Sequence, residues 1–244
     1  MTITCNSYQK YNECVYVPVP VQSTRVMALT VSKTGSRSLV DLLTRIGILS
    51  HECHILPMKN CPKFLTDTWK PVNIPHIPII SVVRNPISRL VSEFAYRNKV
   101  TFVNSSYNTS LHAFFKQSYR YNWQVGVLSG MRWSAQVVPN AQVITMSHLK
   151  NIETRAYKKQ LTLGIFENLE DSIRCILEKI LFIPPKNIQN LKLDKRVTPL
   201  ISFQDMTHLE KEYGTYHTLD SELHNTAKKI VCSTCSGINL LKCT

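Results

Sequence analysis

The chain has 244 residues, 43% of them hydrophobic, and carries 29 Lys and Arg against 16 Asp and Glu, a formal charge of +13. The apolar share excludes a disordered chain, and the length fits one large α/β domain. The charge favours anionic partners without choosing among them, and the absence of any apolar run of about 18 residues excludes a span within this sequence.

Residues 1–25 read as an irregular arm, where Pro18 and Pro20 exclude a helix. The opening stretch lacks the basic start and apolar core of a signal peptide, so either targeting lies upstream or the protein is cytosolic. Val26 to Val31 predicts a buried strand, followed by a polar turn from Ser32 to Ser38. Leu39, Leu42, Leu43 and Ile46 then recur at the helical period. Such a junction aims unpaired helix N–H groups and the positive end of the helix dipole at the strand end, where a phosphate fits. Lys33 adds charge there, and Gly35 lets the backbone approach closely. Residues 47–76, rich in His, Cys, Pro and Trp and without a period, predict a long loop.

Ile77 to Val83 predicts a second buried strand. Asn85 caps and Pro86 opens a second helix, whose apolar face is Ile87, Leu90, Val91 and Phe94. Both basic strand–helix junctions would then lie at the carboxyl edge of one parallel sheet. Residues 98–109 predict an exposed polar segment. Leu111 to Tyr119 and Trp123 to Met131 predict short helices, and Gln142 to Met146 a strand. Thr162 to Phe166 predicts another strand, ending at Glu167. Leu169, Ile173, Ile176, Leu177 and Ile180 trace a helix stopped by Pro184 and Pro185. Residues 186–217 read as loop with a basic cluster at Lys192, Lys195 and Arg196. Thr218 is the expected cap of a final helix striped by Leu219, Leu223, Ala227 and Ile230. With neither repeat nor linker, the chain reads as one α/β domain: an arm (1–25), a core (26–230) and a cysteine-bearing tail (231–244).

Eight cysteines suit disulfides, with Cys5/Cys14 and Cys53/Cys61 as candidate local bridges. Cys232 and Cys235 have a zinc- or redox-like spacing, but no second close pair or following histidine completes a zinc set. Glycosylation acceptors at Asn104 and Asn108, beside these cysteines, favour the secretory lumen.

The run Lys33, Thr34, Gly35, Ser36, Arg37, Ser38 is not an ATPase phosphate loop, because its lysine precedes the glycine, nor a dinucleotide fingerprint, which needs three spaced glycines. With the unit from Arg84 to Ser92, it resembles the two cofactor loops of sulfotransferases that use the sulfate donor PAPS, most like the Golgi heparan sulfate 2-O- and 6-O-sulfotransferases. VSKTGSRSL, SVVRNPISRLVSEFAYR, YNWQVGVLSG and LTLGIFENLEDSIRCILEKI carry the resemblance, over about residues 26–230. It implies a P-loop-like three-layer sandwich, a central parallel sheet flanked by helices, with PAPS as donor, PAP as product and no metal required. Lys33, the 36–38 amides and the Ser36 and Ser38 hydroxyls would hold the 5′ group, with Thr34, Gly35 and Arg37 completing the loop. Arg84 and Ser92 would hold the 3′-phosphate. Lys33 matches the family's catalytic lysine, which stabilises the leaving phosphate oxygen. His54, then His51, are the candidate bases for the acceptor hydroxyl, by their place between the two cofactor motifs; His76 lies close to the second strand, and a glutamate of raised pKa is the other option. His208, His217 and His224 read as ordinary. The sequence departs from the family pattern at Arg37, where many relatives have Thr or Ser, and at Asn85, which replaces the usual Asp.

The implied acceptor is an acidic polysaccharide. Arg89, Arg97, Lys99, Arg132, Lys192, Lys195 and Arg196 are candidates to line its cleft, and Trp123 and Trp133 to stack on sugar or adenine. Gln124 falls in a segment that lies by the cofactor in the family. The expected location is the Golgi lumen or outside the cell, with no nucleic-acid partner and membrane attachment only through a segment outside this sequence. Two other readings compete. An atypical P-loop phosphotransferase would need Mg²⁺ and carboxylates to hold it, which the strand ends near 31 and 83 do not supply. A non-catalytic basic glycan-binding module explains the charge but not two anion-binding junctions.

Overall fold

The computed structural model describes residues 2–5, 14–17, 26–31, 33–54, 78–104, 109–117, 120–129, 143–158, 160–183 and 200–235. Strands β1 (Thr2–Cys5) and β2 (Cys14–Val17) form a small antiparallel ladder whose register sets Cys5 opposite Cys14. Four parallel strands make the main sheet: β3 (Val26–Thr30), β4 (Leu49–His54), β5 (Ile79–Val83) and β6 (Leu161–Ile165), in the order β4-β3-β5-β6. The helices are α1 (Ser36–Arg45), α2 (Pro86–Asn98), α3 (Thr109–Phe115), α4 (Trp123–Leu128), α5 (Met146–Tyr157), α6 (Leu169–Cys175) with a π-helical extension (Ile176–Ile180), α7 (Phe203–Tyr213) and α8 (Thr218–Thr234).

Strand alternation sorts the core into two layers. Val26, Ala28, Ile80 and Val82 pack with Leu39, Leu42 and Leu43 of α1 and with Ile173, Ile176 and Leu177 of α6 and its extension. Met27, Leu29, Leu163 and Ile165 pack with Val125 and Leu128 of α4, Leu149 and Ile152 of α5, and Leu223 and Ala227 of α8. Parallel strands covered on both faces must be apolar throughout, which is why β3 and β5 read as continuous runs. A third cluster joins Leu90 and Phe94 of α2 to Leu111 and Phe115 of α3 and to Leu209 and Tyr213 of α7.

From β3 the chain passes through α1 to β4 on one side, then returns to add β5 on the other side of β3. The order therefore reverses between β3 and β5. Their carboxyl ends flank the switch point where open α/β sheets bind ligands.

Several segments differ from expectation. Residues 49–54 form β4 rather than loop; as the sheet's edge strand it needs no continuous apolar run, so LSHECH hides it. The strand expected at 142–146 is absent from 143–146; Val143 is 79% exposed, and α5 begins at Met146. Helix α7 lies within the stretch read as loop, with Ser202 Oγ capping it by accepting from the Asp205 N–H at 3.0 Å. Thr218 does not cap α8; the Asn122 side chain does, as described below.

Glu93 fixes α2 from within. It is 8% exposed and pairs with Arg89 and Arg97 on its own helix and with Arg120 from the segment before α4. Burial opposes its ionisation, but the three guanidiniums outweigh burial and hold its pKa below the usual carboxylate range. The unfolded chain binds this proton more tightly than the folded one. The stabilisation is therefore fully present above about pH 4.3 and is lost as pH falls through the folded-state value. Glu93→Gln is expected to flatten the acid limb of a urea-midpoint-versus-pH curve; superimposable limbs for the two proteins would assign acid lability elsewhere.

Candidate anion-binding site at the carboxyl edge of the sheet

The first junction is shaped by two left-handed residues, Lys33 at φ 66° and Gly35 at φ 80°. Between them Thr34 is fully buried and donates Oγ1 to the Val31 carbonyl at 2.9 Å, so its hydroxyl tightens the turn. A Cβ on Gly35 would meet the Phe166 ring at 2.7 Å, which only glycine avoids. Gly35 occupies the N-cap of α1 without a capping side chain, and the first turn holds no acidic residue. The N-terminus of α1 thus presents N–H groups and dipole without an intrinsic anion. Ser36 is half-buried, Ser38 is 9% exposed, and Arg37 is exposed.

The second junction is closed differently. Asn85 Oδ1 accepts from the Ser88 N–H at 3.0 Å, which caps α2. Arg84 is only 4% exposed. Its Nε donates to Ser88 Oγ at 2.9 Å and its Nη1 to the Lys33 carbonyl at 3.3 Å, and its guanidinium lies 4.1 Å over the Phe166 ring. Burial lowers its pKa to about 10, partly offset by the charge of Glu167. It is still a cation at neutral pH, and its side-chain hydrogen-bond partners among the described residues are a hydroxyl and a carbonyl.

The two junctions share one face of α2. Ser88, Ser92 and Tyr96 recur every four residues along it, and this row spans about 12 Å. Arg84 binds Ser88 at one end, Lys33 Nζ lies 3.0 Å over the Tyr96 ring at the other, and half-buried Ser92 falls between. Lys33 and Arg84, expected from two separate motifs, are thus in direct contact.

Buried side chains hold this arrangement. The Gln124 amide grips the Arg84 peptide at both ends: Oε1 accepts from its N–H at 2.9 Å, and Nε2 donates to its carbonyl at 2.7 Å. Asp220 of α8 accepts from the Gln124 and Val125 N–H groups, which caps α4. In return, Asn122 Oδ1 accepts from the Leu219 and Asp220 N–H groups, which caps α8. Glu167, just beyond β6, accepts from the Asn85 N–H at 2.8 Å and is 2.9 Å from His224 Nε2. Burial opposes Glu167 ionisation, but the hydrogen bond and charge of His224 and the Asn85 N–H outweigh it and hold the carboxyl below its usual range. Asn85 Nδ2 also donates to Glu210 at 3.1 Å, so an Asp here would set like charge against Glu210 and Glu167.

Other expected site residues are dispersed. Arg89 is 1% exposed and locked to Glu93, which places it in the scaffold rather than on an acceptor surface. Gln124 is fully buried and Trp123 packs against the core, so both also serve the interior. Arg97 keeps a 40% exposed side chain while pairing with Glu93, and Lys99 and Asn104 are exposed. His54 lies at the carboxyl end of β4, in register with Thr30; His51 pairs in register with Met27, farther from that edge. His76, Asn108, Arg132, Trp133, Lys192, Lys195 and Arg196 lie outside the described residues. Cys235 is bonded to Cys175, and Cys232 is also disulfide-bonded, so the 232/235 pair is neither a dithiol nor a thiolate zinc ligand set. Among the described residues, no group of three or more His, Cys, Asp and Glu side chains is placed to hold a metal ion, and no helix is long and apolar enough to cross a membrane.

Tyr96, Phe166, Glu167, Asn122 and Asp220 were not expected at the site. Tyr96 was marked by its four-residue step from Ser92, and Phe166 and Glu167 by following a buried strand. Nothing local marked the pairing of the Asn122 segment with Asp220 and α8, which are distant in sequence. No family model matches the chain, and the comparison with curated proteins finds no match.

Proposed function

We propose that this chain is a PAPS-dependent carbohydrate O-sulfotransferase, acting on a hydroxyl of an acidic, glycosaminoglycan-like polysaccharide. The observation that carries the reading is Arg84: a buried guanidinium at the switch point, hydrogen-bonded to neutral groups, touching the carbonyl of Lys33. Among the described residues Arg84 forms no ion pair and the charge of Glu167 offsets its burial only in part, so a bound anion would relieve the remaining cost. PAPS carries a 5′-phosphosulfate and a separate 3′-phosphate, so it calls for two anion sites at fixed separation. The open N-terminus of α1 with Lys33 suits the first, and Arg84 with Ser92 suits the second. The sheet with helices on both faces is read as a P-loop-like sandwich. The likeness of four stretches to heparan sulfate 2-O- and 6-O-sulfotransferases supports the same function.

In this scheme the acceptor oxygen attacks sulfur in line with the 5′-phosphate. The new S–O bond forms as the S–O bond to phosphate breaks, and that bond's electrons stay on the phosphate oxygen of PAP. Lys33 and the α1 amides stabilise the charge developing there. The acceptor proton passes to His54, with His51 as the second candidate. Glu167 is the poorer base, because its hydrogen bonds favour the already ionised form. The scheme requires no metal. Excess positive charge suits a sulfated or uronic-acid-bearing acceptor, and the Cys175–Cys235 disulfide suits an oxidising lumen.

Titration calorimetry of the full chain with PAP in EDTA is the direct test. Binding that Mg²⁺ does not alter is expected, followed by transfer of radiolabelled sulfate to one of a panel of heparan, chondroitin and dermatan chains. Absence of PAP binding overturns the proposal. Mg²⁺-dependent binding of ATP instead would point to a phosphotransferase, and glycan binding without PAP binding to a non-catalytic module.

A further inference from the structure

We infer that Tyr96 is a positioning residue for Lys33, holding its ammonium on the face of α2 that carries Ser92. The consequence for catalysis rests on the sulfotransferase reading; the contact itself does not. Lys33 Nζ lies 3.0 Å over the Tyr96 ring, where the negative π face attracts a cation. The backbone of Lys33 is already fixed, by its left-handed conformation and by donation from Arg84 to its carbonyl. A lysine stem of four carbons is flexible, so a contact to its ammonium narrows where the charge can sit. The ring holds the charge at the Tyr96 end of the row of Ser88, Ser92 and Tyr96, one helical turn beyond Ser92. Tyr96 is 71% exposed, so the core does not account for a large ring at this position. Its place two helical turns beyond Ser88 and one beyond Ser92 does.

The role is a property of the ring face, not of the hydroxyl. Tyr96→Phe keeps the face and Tyr96→Leu removes it, and exposure of the site lets both variants fold. Reductive ¹³C-methylation of the lysines gives a readout independent of activity. The Lys33 resonance, identified by its loss in Lys33→Arg, is expected to be shifted upfield by the ring in wild type and Tyr96→Phe but not in Tyr96→Leu. In the sulfate-transfer assay, Tyr96→Leu is expected to lower kcat about fivefold with KM for PAPS little changed, while Tyr96→Phe stays near wild type. Melting temperatures of all three should agree. Progressive fluorination of Phe at position 96, which drains the π face, should lower kcat stepwise. An unshifted Lys33 resonance in wild type overturns the inference, as does a Tyr96→Leu protein that binds PAP and transfers sulfate at the wild-type rate. A chain that fails to bind PAP defeats the functional reading instead; an upfield Lys33 resonance lost in Tyr96→Leu still establishes Tyr96 as its holder.

Discussion

Arg84→Ala is expected to weaken PAP binding by about 10- to 100-fold, the loss that follows from removing a charged hydrogen bond. The substituted protein also loses contacts to Ser88, Lys33 and Phe166, so a fall in affinity alone would not separate recognition from packing. The comparison that does is between PAP and AMP, which lacks the 3′-phosphate. Wild type should prefer PAP strongly, and Arg84→Ala should bind the two almost equally, because packing damage affects both ligands. Arg84→Lys should recover little of the preference. A lysine keeps the charge but cannot reach Ser88, the Lys33 carbonyl and a phosphate together as a planar fork does. An unchanged PAP-to-AMP ratio in Arg84→Ala would remove Arg84 from the 3′ site and with it the main support for the donor assignment.

Removing the Cys175–Cys235 disulfide with the paired Cys175→Ala/Cys235→Ala variant should have the largest effect on stability. The bridge closes a loop of 60 residues, for which the chain-entropy argument gives about 4 kcal/mol. For a chain of this length that corresponds to a fall in Tm of about 10 °C. Both sulfurs are buried, and they join α6, which covers one face of the sheet, to the end of α8, which covers the other. The bond therefore clips the two layers together beside the edge strand β6. Calorimetric scans of wild type and the paired variant would show the difference, and coincident scans would refute this role. The same bridge makes the fold suited to an oxidising compartment.

The parts of this architecture legible in sequence are those whose environment is uniform. Strands β3 and β5 are covered on both faces and show as apolar runs, while α1 and α2 each bury a broad stripe. β4 was hidden by its edge position, and α5 by a stripe reduced to Leu149, Ile152 and Ala156. α7 packs on α2 and α3 rather than on the sheet, so Leu209 and Tyr213 suffice to hold it. At the site, Lys33 and Arg84 could be read because strand ends and helix starts are local features. Arg89 could not be told from Arg97 by charge or by face, since both pair with Glu93 from four residues away; only their places along α2 make the first interior and the second, in the last turn, half-exposed. Gln124 and Asp220 act on residues 40 and 96 positions away, so no window of sequence contains both partners.

The mutual capping of α4 by Asp220 and of α8 by Asn122 also orders events during synthesis. The Arg84 peptide is gripped by Gln124, and Gln124 sits in a helix whose first turn is secured by Asp220. On a ribosome, β3, β5 and α2 emerge long before α8 and can pair early, but the guanidinium's seat stays unlatched until α8 arrives. The geometry around Arg84 is thus tied to the synthesis of α8, and a nascent chain lacking α8 would hold the same charges without it.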